Sequence, residues 1–262
     1  MIISVINHTG GTIADEEIQP VLRAINRQID GDYAPYWSLG ATLRLEGRSS
    51  VKPSTQTLAD MRGDAVIYLW NHADVDDAIG YHDLNNRGIP YGFVFTEISK
   101  QIGEAWSITL SHEALELIGD PESNLLVMGP DPKDLGRDVF HWYEMCDAVQ
   151  DEHYTIDGVD VSNFVLPLYF TGGDEMGGRN DFLGRSHDGR TLRSFSVNPG
   201  GYIGFYDPKT GRMSSFEADA KAARRQKIRN ALGPARRGNR YRRFHTSPVP
   251  ARPVLRSVKA SR

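Results

Sequence analysis

Charge divides this chain into two unequal parts, and only one of them has the composition to fold. From Ala218 to Arg262 there are fourteen lysines and arginines and a single acid, Asp219, a charge of +13. Met1 to Glu217 holds the other sixteen bases and thirty-three acids, a charge of −17, so the net −4 describes neither part. Phe216–Leu232 has helical composition. After Gly233-Pro234 the sequence is arginine, proline, serine and valine without periodicity, the signature of a disordered segment. The fold is therefore expected in 1–217, with 218–262 as a basic tail, a short helix followed by disorder.

The acidic part is long enough to bury a sizeable core. Hydrophobic residues are 39% of the chain, below the roughly 45–50% of ordinary globular domains, so some part of it is too polar to pack. No apolar run approaches the ~18 residues of a membrane span. The N-terminus lacks the basic start and long apolar stretch of a signal peptide, so a cytoplasmic location is expected. One cysteine, Cys146, excludes an internal disulfide framework and a CxxC zinc site.

Periodicity places the elements. Met1–Asn7 reads as a strand, and Ile18, Val21, Leu22, Ile25 and Ile29 recur at helical spacing over about 13–30, with Thr12 as the cap. Thr42–Glu46, Asp64–Trp70 and Gly92–Thr96 read as strands, the second of them central in a sheet. Glu104–Ile118 is an amphipathic helix stopped by Gly119-Asp120-Pro121. The acid-rich stretch to Asp138 reads as irregular, Val159–Phe170 as a strand broken at Pro167, Thr171–Gly189 as loop, and Tyr202–Tyr206 as a last strand. This order argues for an α+β fold rather than a doubly wound sheet.

Inside the second helix lies Ser111-His112-Glu113-Ala114-Leu115-Glu116, an HExxE. Residues four apart share a helical face, so His112 and Glu116 point the same way, as the two histidines of HExxH do when they hold zinc. Glu113 is rotated by about 100°, placed to reach a bound water rather than the metal. A third ligand must come from elsewhere. Glu144, 28 residues beyond Glu116, is the candidate, and Asp147 is the reserve or a partner for the other ring nitrogen of His112. Taken alone, HExxE is also three polar residues on an ordinary amphipathic helix.

His82, in the turn-prone Gly80-Tyr81-His82-Asp83 before a strand, could donate to a substrate carbonyl or serve as an alternative ligand. The plainer reading is a surface histidine bonded to Asp83. Asp120–Asp131 starts with calcium-loop spacing but lacks the required glycine and final glutamate. Gly172–Gly178 has no lysine or helix to make it a phosphate loop.

Several segments together resemble a family of bacterial and phage-encoded zincin-like proteins: Asp30–Trp37 (DGDYAPYW), Ile79–Asp83 (IGYHD), Leu110–Glu116 (LSHEALE), Asp120-Pro121 and Tyr143–Asp147 (YEMCD). Asp157–Phe164 (DGVDVSNF) and Gly200–Asp207 (GGYIGFYD) fit as well, and the same order of acids is similar to that in the plant phosphate-induced, exordium-like proteins. The resemblance runs from Ile3 to about Met213. It implies a zincin-like fold, a twisted mixed sheet above an active-site helix with the metal between them. It further implies zinc on His112, Glu116 and Glu144, with Glu113 as general base.

Two carboxylate ligands nearly neutralise a divalent cation, so a bound water is less acidic than on a site of imidazoles, and manganese is tolerated beside zinc. The expected function is a metal-dependent hydrolase acting on a peptide or protein. The alternative is a non-catalytic zincin-fold binding protein or phage-associated structural protein. In the tail, Arg240-Tyr241-Arg242-Arg243-Phe244 interleaves aromatics with arginine, which suits nucleic acid or another polyanion. A solvated tail folded against the acidic body, or docked to a protein assembly, fits the same residues.

Overall fold

The computed structural model describes residues 1–46, 63–71, 80–84, 88–171 and 178–223. Strand β1 (Ile2–His8) leads into helix α1 (Asp15–Gln28), whose first turn carries Asp15, Glu16 and Glu17 against the positive end of the helix dipole. Thr12 is not its cap. Its hydroxyl bonds to Thr9 and Asn71, while Ala14 takes the cap position and Glu17 Oε1 accepts from the Ala14 N–H at 3.0 Å. The chain stays helical past Gln28 through one wide turn, Ile29–Tyr33, into α2 (Ala34–Trp37), and stops at the left-handed Ser38. Ile18, Leu22, Ile25 and Ile29 are buried, as their spacing requires, each worth roughly 1.5–3 kcal/mol.

Strands β2 (Thr42–Leu45), β3 (Ala65–Trp70), β4 (Gly80–Leu84) and β5 (Pro90–Phe95) complete a sheet of order β2-β1-β3-β5-β4. All run parallel except β4, which is antiparallel to β5 at one edge. Central β3 is apolar at nearly every position and buried on both faces, as an inner parallel strand must be. The connection β1-α1-β2 is a βαβ unit, so that part of the molecule is closer to an α/β arrangement than the sequence suggested. His82 was expected in a turn; it is instead the middle residue of β4, paired with Gly92.

After β5 come α3 (Thr96–Gln101) and α4 (Trp106–Gly119). Helix α4 packs against β4 and β5 on one side and against a later hairpin on the other, so it runs through the middle of the core. The acid-rich stretch read as irregular folds into a hairpin, β6 (Leu126–Asp131) and β7 (Asp134–Trp142). Arg137 explains how those acids are tolerated, since its guanidinium bridges Asp131 and Asp207. Next are β8 (His153–Ile156) and β9 (Val159–Ser162), a separate two-stranded unit. Chain direction changes after Ser162, earlier than the proline break expected, and Pro167–Phe170 forms a single tight turn. Strands β10 (Tyr202–Asp207) and β11 (Arg212–Glu217) join β7 and β6 in an antiparallel sheet of order β11-β10-β7-β6.

The result is a mixed α+β fold. Its main core joins the face of the first sheet carrying Ile3, Val5, Ile67 and Leu69 to α1, α4 and the segment from Met145 to Leu166. Phe216 lies in β11 rather than in the expected helix; helical structure begins at residues 220–223, and the basic clusters of 224–262 fall outside the described residues, as does most of the Gly172–Gly178 loop. No helix among the described residues is long and apolar enough to cross a membrane.

Candidate metal centre

Helix α4 was expected to show one apolar and one solvated side. Every residue from Ser107 to Gly119 is buried. A helix enclosed on all sides is normally apolar throughout, yet this one carries His112, Glu113 and Glu116 at its centre. Ionisable groups are rarely buried without partners, so these three must be matched by something.

The partners come from two other elements. His112 Nε2 lies 3.3 Å from Glu116 Oε2, the one-turn relationship expected of the motif, and 3.4 Å from Asp147 Oδ1. Asp147 opens the short turn Asp147–Val149, directly after Met145 and Cys146, which are fully buried and anchor that segment on α4. The Cys146 N–H donates to Glu116 Oε1 at 3.1 Å, which leaves Oε2 facing His112. Strand β4 supplies His82. Its Nδ1 is 3.5 Å from Glu113 Oε2 and 3.8 Å from Glu116 Oε2, and its Nε2 is 3.8 Å from Glu144 Oε2.

All the residues singled out from the sequence therefore meet in one buried place. The carboxylate found beside His112 and Glu116 is the reserve candidate, Asp147, while Glu144 faces His82. The reason is local: Asp147 leads the turn that swings back over α4, and Glu144, three residues earlier, points towards β4. His82 is 5% exposed and belongs to the cluster, so the surface-turn reading of it does not hold.

Two sets of three potential ligands can be drawn among the described residues: His112, Glu116 and Asp147, and His82, Glu113 and Glu116. Donors held about 2.1 Å from a tetrahedral cation stand roughly 3.4 Å from one another. The 3.3 and 3.4 Å separations in the first set match that spacing closely.

Burial alone would lower the proton affinity of His112. Glu116, Asp147 and Glu113 outweigh it and hold the imidazole well above its usual range. Glu116 is raised in turn, first by burial and then by Glu144 and Asp147, with His112 pulling the other way. Asp120, just past the end of α4, is also raised by burial, against the backbone N–H groups of Leu125 and Asn124. Carboxylates crowded out of water in this way hold their protons more tightly than exposed ones do.

Two contributors were missed. Asp120 was read as part of a helix stop, a failed calcium loop and a resembling segment, but not as a member of the site; an acid directly after an HExxE helix was the available signal. Gly80 was read as part of a turn. In the structure a Cβ there would meet Glu113 and Thr109 of α4 at 2.7–2.8 Å, so only glycine lets β4 lie this close to the helix. No family model, curated protein or solved structure matches the chain.

Proposed function

We propose that this chain is a metal-dependent hydrolase of zincin-like architecture that cleaves peptide or protein amide bonds. The observation carrying this reading is the set His112, Glu116 and Asp147 at cation-ligand spacing on a buried helix, with Glu113 beside it. The donor set, one imidazole and two carboxylates, suits zinc and tolerates manganese. A divalent cation held there would supply Lewis-acid polarisation of a water or carbonyl oxygen. Glu113 accepts the proton of the attacking water and returns it to the leaving amine. Cys146 and the Asp147 turn fix the orientation of Glu116 and of the second carboxylate. His82 faces the same volume from the edge strand, where it is placed to donate to a carbonyl oxygen. The sheet-over-helix arrangement supports the zincin-like fold.

We assign the chain to the cytoplasm or to a phage particle, with the basic tail 218–262 as a contact for nucleic acid or another polyanion. The depth of the site favours one second reading. His112, Glu113 and Glu116 are 8%, 5% and 3% exposed, which also suits a structural cation in a non-catalytic binding protein.

The test is elemental mass spectrometry on tag-free protein beside His112→Ala, with cleavage of a quenched-fluorescent peptide library by wild type and Glu113→Gln. A transition metal lost in His112→Ala, with hydrolysis reduced about 10²–10⁴-fold in Glu113→Gln, supports the hydrolase. Metal without hydrolysis supports the structural cation. Wild type that takes up no zinc or manganese overturns both.

A further inference from the structure

The metal-site reading places one cation on His112, Glu116 and Asp147, and it leaves Glu113 unbalanced. Among the described residues, the ion pairs of Glu113 and Glu116 run only to the two histidines, and neither meets a lysine or arginine. A first cation draws on Glu116 and Asp147. Glu113, 5% exposed, is then a buried carboxylate with one imidazole for company. A single buried charge in that position is costly unless a cation or a proton accompanies it.

The structure assigns a second divalent cation to the same cluster, held by His82, Glu113 and Glu116, with Glu116 shared between the two positions. The proposal rests on the hydrolase reading for its first cation; the second adds His82 and Glu113 as ligands to the shared Glu116. Three observations carry it. His82 Nδ1 stands 3.5 Å from Glu113 Oε2 and 3.8 Å from Glu116 Oε2, near the roughly 3.4 Å expected of donors around one tetrahedral cation. The other ring nitrogen of His82 faces Glu144 Oε2 at 3.8 Å, so Nδ1 is the ring atom turned to Glu113 and Glu116 and the one offered to a cation. Finally, Asp120 is 3% exposed and its Oδ1 has no hydrogen-bond partner among the described residues, although it lies close enough to Glu144 and His82 to feel both charges. A second positive charge beside His82 answers that orphaned oxygen, directly or through water.

Glu116 is the natural bridge. His112 Nε2 and His82 Nδ1 both approach its Oε2, at 3.3 and 3.8 Å, from different elements. The two sets have no other residue in common. Paired metal ions in two-metal sites lie about 3.5–4 Å apart, a separation that suits two positions sharing one carboxylate such as Glu116. In the singly loaded chain Glu113 remains the proton acceptor; in the doubly loaded chain it is a ligand.

The experiment is calorimetric titration of chelator-stripped, full-length protein with zinc, checked by elemental analysis. Electron paramagnetic resonance follows with manganese at one and two equivalents. Wild type is expected to bind two cations per chain, and His82→Ala and Glu113→Gln one each, with an exchange-coupled manganese signal only in wild type at two equivalents. Glu113→Gln keeps size and shape, so it guards against a folding failure in His82→Ala, and thermal melts of the cation-free proteins check both. One cation in wild type, unchanged in His82→Ala, overturns the second site and leaves the hydrolase reading standing. Two cations that persist in both variants, or that give no coupled signal, place the second ion elsewhere and overturn the assignment. No binding in wild type overturns the hydrolase reading as well.

Discussion

Gly80 of the edge strand leaves no space for a side chain beside Glu113, since a Cβ built on it would come within 2.7 Å of Oε1. The contact sets the separation between strand and helix, and with it the reach of His82. Gly80→Ala is expected to cost about 1–3 kcal/mol of stability, as overpacking in a filled interior does. It should also weaken cation binding by moving Glu113. Chemical denaturation and zinc titration of the same variant check both effects. Unchanged stability would mean that β4 stands further from α4 than described.

Glu144 and Asp147 differ in what they touch, so their substitutions should separate. Asp147→Asn removes a donor next to His112 and should weaken the first cation by more than 10–100-fold, the usual loss when only an orienting partner is removed. Glu144→Gln should stay within that range. Zinc affinities of the two variants decide the order, and the reverse ranking would return Glu144 to the position the sequence suggested.

A bound cation ties α4 to the Asp147 turn, which the unfolded chain cannot do. Free zinc at 100 times its dissociation constant should therefore add about 2.7 kcal/mol to stability. Melting with and without a chelator measures this. The difference should vanish in His112→Ala, and a shift that survives there would point to binding outside the cluster.

Arg137 gives a separate, pH-dependent prediction. Its Nη1 donates to Asp207 Oδ2 at 2.9 Å, and that bond holds the Asp207 carboxyl below its usual range. A depressed carboxyl stabilises the fold above its unfolded value and loses that contribution as pH falls through the folded one. Arg137→Gln should thus melt lower than wild type near neutrality, with the gap closing in acid. A gap independent of pH would assign the effect to packing of the arginine stem.

Elements whose apolar residues follow one period were legible from the sequence: β1, α1, β3 and α4 lie within a few residues of their expected spans. The hairpin β6-β7 was missed, and of β10-β11 only the first strand was read, because their stability depends on a distant partner. Arg137 offsets acids that look solvated in isolation, and Met128 and Leu135 face outward, so alternation gave no core face to read. His82 was misplaced for the same kind of reason. Gly80 and Asp83 suggest a turn locally, and only pairing with β5 makes the segment a strand. The shared face of His112 and Glu116 followed from spacing alone, whereas which of Glu144 and Asp147 lies beside His112 depends on how the chain turns after Met145.

Cys146 is the chain's only thiol, and it lies fully buried between Glu116 and Asp147. Burial, followed by those two carboxylates, keeps it protonated, so it does not compete as a ligand or react readily in the closed protein. A thiol reagent can reach it only when the packing around it, the Asp147 turn against α4 included, opens. The rate of labelling at this one atom thus serves as a built-in clock for the opening of the site, readable on the unmodified protein and slowed by whatever fastens the turn down.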